Sequence, residues 1–204
     1  MFHIANNVHF RVDFHLMNED AKSKLTEMYE RIRKGGDFQL FGDMFVDQEQ
    51  VNYADVDDGE WSITNLGAKW CYFEEFNEDG FHGYAAWRAP EDGMMKLASI
   101  LGSLDANFVA SMTFEDEGPN FIGANVYWGT FCQDGFEDDE EDIRDKVINA
   151  SKVLTSESWD SELDEWCDEA AEQTFNDELW EVMNEVQWDF VTEQVNSIKA
   201  EVSG

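Results

Sequence analysis

An α+β fold is predicted for this 204-residue chain by three features. Apolar and polar residues alternate strictly from Val8 to Leu16, two separate segments carry apolar residues at spacings of three and four, and aromatic runs flank short turn sequences. The composition sets the boundaries. The 46 acidic residues against 13 basic ones give a net charge of −33, a field that repels DNA, RNA and anionic lipid headgroups. With 43% hydrophobic and 14% aromatic residues the chain has ample material for a core, so its acidity does not imply disorder.

The first strand places Val8, Phe10, Val12, Phe14 and Leu16 on one face and His9, Arg11, Asp13 and His15 on the other. Asn18 then offers an N-cap, and Glu19 and Asp20 suit a helix start. Ala21, Leu25, Met28 and Ile32 form the stripe, and Gly35 and Gly36 mark the stop. Residues 38 to 65 give no clear period, and Asp55, Asp57, Asp58, Gly59 and Glu60 read as an exposed loop. Two aromatic-rich runs, from Lys69 to Phe76 and from Phe81 to Ala89, flank a four-residue connection from Asn77 to Gly80, which predicts a hairpin. Pro90, Glu91 and Asp92 suit the first turn of a second helix whose stripe is Met94, Leu97, Leu101 and Leu104. A closing strand pair follows, over Phe108 to Phe114 and Phe121 to Phe131, about a turn at Glu117 to Asn120. This order is the split βαβ or ferredoxin-like pattern, an antiparallel sheet backed by two helices with one strand added.

The composition shifts after Gln133. Residues 134 to 204 hold 23 acidic and 4 basic side chains, against 23 and 9 in residues 1 to 133. The chain therefore divides into a ferredoxin-like domain, 1–133, and an acidic helical region, 134–204. Ile143, Val147 and Ile148, then Trp159, Leu163 and Trp166, then Leu179, Val182, Met183, Val186, Phe190 and Ile198 recur at helical spacing, which predicts two or three acidic helices. Trp159, Trp166, Trp180 and Trp188 are expected to anchor them.

Three short elements carry a family resemblance. They are Asn65 to Trp70 (NLGAKW), Gly83 to Pro90 (GYAAWRAP) and Phe114 to Gly123 (FEDEGPNFIG). In this order they are similar to the GTKW-like, WSPP-like and acidic-turn elements of the YubB ferredoxin-like domain family of phage and plasmid proteins, over roughly residues 1 to 131. Ala68 stands where the family usually has Thr, and Arg88 with Ala89 replaces Ser and Pro. The resemblance implies a ferredoxin-like fold and a mobile-element origin, and it supplies no catalytic residues.

Nothing in the sequence points to an enzyme or a cofactor. No HExxH, GxSxG, P-loop or GxGxxG element occurs, and the EF-hand spacing fails about both Gly59 and Gly80. Cys71 and His82 face each other across the predicted hairpin without an orienting third group. Cys71, Cys132 and Cys167 have no CxxC spacing and suit a reducing compartment. The opening MFHIANNVHF lacks a secretory pattern and no apolar run is long enough for a membrane span, so a cytoplasmic location is expected.

The acidic region is the sharpest functional signal. Glu157, Asp160, Glu162, Asp164, Glu165, Asp168, Glu169 and Glu172 are eight acids in the 20 residues from Thr155 to Thr174. On a helix these give one charge every ~3.7 Å, against a phosphate every ~3.4 Å along a DNA strand. Together with Glu137, Asp138, Asp139, Glu140, Glu141 and Asp142 they are the expected partner-binding residues, acting as phosphate surrogates that accept hydrogen bonds from Arg and Lys. The function this predicts is a phage- or plasmid-type DNA-mimic inhibitor. It occupies the basic cleft of a DNA- or RNA-binding host protein, such as a restriction enzyme or CRISPR effector, and binds neither nucleic acid nor membrane itself. The alternative is an acidic adaptor that binds a protein through the sheet, with charge serving solubility.

Overall fold

The computed structural model describes residues 6–34, 39–45, 60–118, 120–163 and 165–204, and it is α+β. The alternation in the first strand is realised as β1 (Asn7–Leu16), with Val8, Phe10 and Val12 buried. Asn18 caps the following helix as expected: its Oδ1 accepts from Ala21 N at 2.9 Å. That helix, α1 (Glu19–Lys34), buries Ala21, Leu25, Met28 and Ile32. Gly35 and Gly36 lie outside the described residues, as do Asp55, Asp57, Asp58 and Gly59 of the expected acidic loop. Two elements unforeseen in the sequence follow, a 3-10 turn (Phe41–Met44) and the short helix α2 (Glu60–Leu66).

The predicted hairpin is present as β2 (Lys69–Phe76) and β3 (Gly80–Ala86). Pro90 takes the N-cap position of α3 (Glu91–Leu104), which buries Met94, Leu97 and Leu101 and leaves Leu104 exposed. β4 (Val109–Asp116) and β5 (Phe121–Trp128) are the expected closing pair. The strand order is β2-β3-β1-β4-β5, with one further strand beyond β5, and every neighbouring pair is antiparallel. α1, α2, α3 and the 3-10 turn cover one face, where Val8, Phe10, Phe41, Phe73, Phe81, Leu97 and Phe108 belong to one core.

The further strand is the first departure from expectation. Residues 131 to 139 form β6 (Phe131–Asp139), an edge strand joined to β5 through a two-residue turn with Gly129 at φ +58°. An edge strand buries little, so it tolerates the acids that look helical or exposed in the sequence, and inward or flanking charges discourage further pairing. The division expected at residue 133 therefore falls inside a paired strand. Glu137, Asp138 and Asp139 are strand residues, and Glu140, Glu141 and Asp142 open α4 (Glu140–Ala150).

The second departure concerns the predicted rod from Thr155 to Thr174, which is not a helix. It comprises a 3-10 turn (Ser156–Ser158), the two-residue strands β7 (Trp159–Asp160) and β8 (Glu165–Trp166), and only then the start of α5 (Glu169–Ser203). Side chains claim the backbone here. Thr155 Oγ1 accepts from Glu157 N at 3.3 Å, and Asp160 Oδ1 accepts from Glu162 N and Leu163 N at 2.9 and 3.1 Å. Such local bonds compete with helical ones. Trp159 and Trp166 pack edge to face at 5.1 Å across this small hairpin.

α5 spans 35 residues and lies on the second face of the sheet. Val191, Val195 and Ile198 meet Val109, Ala124 and Val126, while Leu179 and Met183 meet Ile122 of β5 and Ile143 and Val147 of α4. At its centre the buried Gln187 donates from Nε2 to Phe114 O and Gly123 O, both at 3.0 Å, joining the helix to β4 and β5 at once. Gln187→Leu keeps the volume and removes both donors; it is expected to lower unfolding free energy by about 1–3 kcal/mol, measurable by urea denaturation.

Candidate functional site

The helix α5 covers β4 and β5 and reaches Phe136 of β6 and Leu16 at the end of β1, so the second face of β2, β3 and the rest of β1 stays open. Cross-strand register builds two rows there. Tyr72, Tyr84, His9 and Glu115 are successive partners from β2 to β4, and His82, Arg11 and Thr113 form the row beside them. His9 meets Tyr84 edge to face at 4.4 Å, and Tyr84 meets Tyr72 at 5.6 Å. Arg11 is held by Asp13 through a bidentate pair at 2.9 to 3.1 Å. His82 Nε2 lies 3.7 Å from Glu74 Oε2.

Between this open sheet and α5 runs a groove of about 310 Å³, floored by His9, Arg11, His82 and Thr113 and walled by Glu74, Asn184 and Gln187. Glu115 also lines it. Burial raises its carboxyl above the ordinary carboxylate range, with His9 opposing the shift. Cys71 does not join His82. Its side chain belongs to the core on the opposite face, where burial pushes the thiol up to about 12. Among the described residues no group of three His, Cys, Asp or Glu side chains is placed to hold a metal ion, and no helix is long and apolar enough to cross a membrane.

The three elements carrying the family resemblance meet at one end of the sheet, because Lys69 pairs with Ala86 and Asn7 pairs in turn with Ala86. Trp87 N donates to Asn6 O at 2.9 Å, and Asn6 Nδ2 donates to the fully buried Asp116 at 2.7 Å. Trp70 and Trp87 hold positive φ, +48° and +79°, while remaining largely exposed. Bulky residues adopt that conformation only where the surroundings enforce it.

The expected partner-binding acids are dispersed and several serve the fold. Asp138 is buried and paired with Lys146, and Asp139 caps α4 by accepting from Glu141 N and Asp142 N at 3.0 and 3.1 Å. Asp160 closes the β7–β8 turn, and Asp168 caps α5 by accepting from Ala171 N at 2.8 Å. Glu137 is exposed on β6, and partial desolvation with Glu91 nearby raises its carboxyl while Arg88 opposes. Glu140, Glu141, Asp142, Glu157, Glu162, Glu165, Glu169 and Glu172 are exposed on α4, the small hairpin and the start of α5, and Asp164 lies outside the described residues.

A different acidic series is ordered. Asp177, Glu181, Glu185, Asp189 and Glu193 recur every fourth residue of α5, all exposed, and no Lys or Arg stands between Glu169 and Ile198. Each step advances ~6 Å along the helix and ~40° around it. Like charges four apart cost ~0.2–0.5 kcal/mol per pair in helix stability, so the series is sustained by the helix's packing. The spacing was present in the sequence, but the denser acids upstream masked it. Trp180 and Trp188, expected as anchors, are 39% and 71% exposed on this helix. They point outward because α5 buries Leu179, Met183, Gln187 and Val191 instead.

Two measurements test this geometry. A thiol titration of the native protein is expected to show the exposed Cys167 and Cys132 reacting, Cys132 the more slowly because desolvation and Glu91 raise its thiol, and Cys71 only after unfolding. Because the folded Glu115 carboxyl resists ionisation, its burial costs stability above the unfolded pKa of about 4.3 and not below it. Glu115→Gln is therefore expected to stabilise the protein at neutral pH, with the gain fading as pH falls through the raised folded pKa toward about 4.3 and absent below it, in urea denaturation. A scan against protein-family models and searches of curated proteins and solved structures return no match to this chain.

Proposed function

We propose that the protein is an acidic, protein-binding inhibitor of the nucleic-acid-mimic class, with α5 and α4 as its working surface. The observation that carries this is the series Asp177, Glu181, Glu185, Asp189 and Glu193, exposed on a helix fixed to the sheet by Gln187 and its apolar neighbours. Rigidity matters because preordered carboxylates lose little conformational entropy on docking. The ~6 Å step is close to every second phosphate of a DNA strand, whose phosphates rise ~3.4 Å each. A basic cleft built for a polynucleotide receives such a surface through charge-assisted hydrogen bonds from its Arg and Lys side chains. The strand order β2-β3-β1-β4, with α1 and α3 as the crossovers, supports a ferredoxin-like unit. A phage or plasmid origin is what the resemblance to the YubB family implies, with the host cytoplasm as the place of action, while a basic, nucleic-acid-binding host enzyme as the target is read from the charge.

A second function, as an adaptor, is favoured by the open sheet face, where Tyr72, Tyr84, His9 and His82 stand uncovered beside a groove. Substitutions separate the two. A triple change, Glu181→Gln, Glu185→Gln and Asp189→Asn, is expected to weaken binding to a basic, DNA-binding host enzyme about tenfold, with affinity falling as salt rises. A change on the sheet, Tyr84→Ala with His82→Ala, is expected to leave that binding intact. Calorimetry of the purified pair reads both, and the opposite pattern assigns the adaptor function.

A further inference from the structure

The ridge of α5 carries a repeated unit that charge alone does not explain. Trp180 has Asp177 three residues before it and Glu181 one after; Trp188 has Glu185 three before and Asp189 one after. The two units lie eight residues apart, ~12 Å along the helix. The acids would keep the surface soluble without any tryptophan, and an exposed indole costs solvation that a free surface has no reason to bear. Trp188 is 71% exposed, with Asn184, on the same ridge, lining the neighbouring groove.

An indole face beside a carboxylate is a receptor for one side chain above others. The guanidinium of arginine is planar and weakly hydrated, so it stacks on the ring while its edge bonds the acid; the compact, strongly hydrated ammonium of lysine gains less from such a site. The molecule contains the stacking part of this geometry, with a carboxylate close by. Arg144 stacks over Trp159 with its Cζ 4.1 Å from the ring centroid, and Glu140 lines the same recess.

We infer that Trp180 and Trp188, with their flanking carboxylates, form a pair of arginine-selective docking points for a basic segment of a protein partner. This rests on the proposed function above and narrows its partner chemistry to arginine over lysine. The ~12 Å separation sets the register: two arginines eight residues apart on a partner helix, or about four apart on an extended strand. Charge complementarity selects a protein segment as the occupant, since nucleic acid and anionic lipid are repelled.

The test uses the full-length protein and two blocked, helix-forming peptides of about 15 residues. They are identical except that one carries arginine and the other lysine at two positions eight apart. Calorimetric titration is expected to give the arginine peptide at least about fivefold tighter binding. Trp180→Ala with Trp188→Ala is expected to bring the arginine peptide down to the affinity of its lysine counterpart while leaving the circular dichroism unchanged. Trp188→Ala alone, at the more exposed position, serves if the double variant misfolds and is expected to remove part of the preference. Equal, salt-sensitive affinity for both peptides overturns the tryptophan role and leaves the charged surface standing. No binding of either peptide overturns the docking points and counts against the acidic surface as well.

Discussion

The burial of α5 on the second face of the sheet is the contact on which the rest of this molecule depends. β4 and β5 are covered on both faces, by α1 and α3 on one side and by α5 on the other, so Ala110, Met112 and Phe114 alternate with Val109, and Ala124 and Val126 sit under the helix. The small Ala124 beside Val126 lets a long helix approach closely. Gln187 supplies what apolar packing cannot, a directional bond to each of two strands in a buried site. Polar anchors of this kind cost stability when half satisfied and fix position when complete.

That packing has to outweigh the self-repulsion of a net charge of −33. The cations are unevenly spent. In α1 they answer acids one turn away, Lys22 to Glu19, Lys24 and Arg31 to Glu27, and Arg33 to Glu30. In α4, Lys146 answers Asp138 and Arg144 is engaged by Trp159. Among the described ion pairs none involves α5, and Asp177, Glu181, Glu185, Asp189 and Glu193 are exposed without a cation, Asp177 accepting only from Gln173. An unneutralised surface on a rigid support is available to a partner at no cost in broken internal pairs.

The two exposed regions of the second face differ in kind. The open half of the sheet is a mixed surface in which Arg11, His82 and His9 already have Asp13, Glu74 and Tyr84 as neighbours. The outer side of α5 presents one sign of charge and two indoles. They adjoin along Asn184 and Gln187. The two positive-φ tryptophans, Trp70 and Trp87, lie at the end of the sheet where the three resemblance elements converge, and that convergence has a hydrogen-bonded basis in the pairing of β2 with β3 and in the Asn6–Asp116 contact.

The sequence by itself determined the elements whose burial follows a local period. Val8, Phe10 and Val12 announce β1, Asn18 announces its helix, and Met94, Leu97 and Leu101 announce α3, because a period of 2 or 3.6 states directly which face leaves water. Tertiary structure decided the acidic stretch from 131 to 174. β6 exists because β5 offers an edge, whatever the charge of the pairing strand, and the expected rod gives way because Thr155, Asp160 and Asp168 bond to nearby backbone. It also decided which acids matter: Asp168, which caps α5, and Asp189, which stands exposed on it, have the same letter in the sequence, and only their places on the folded helix separate them.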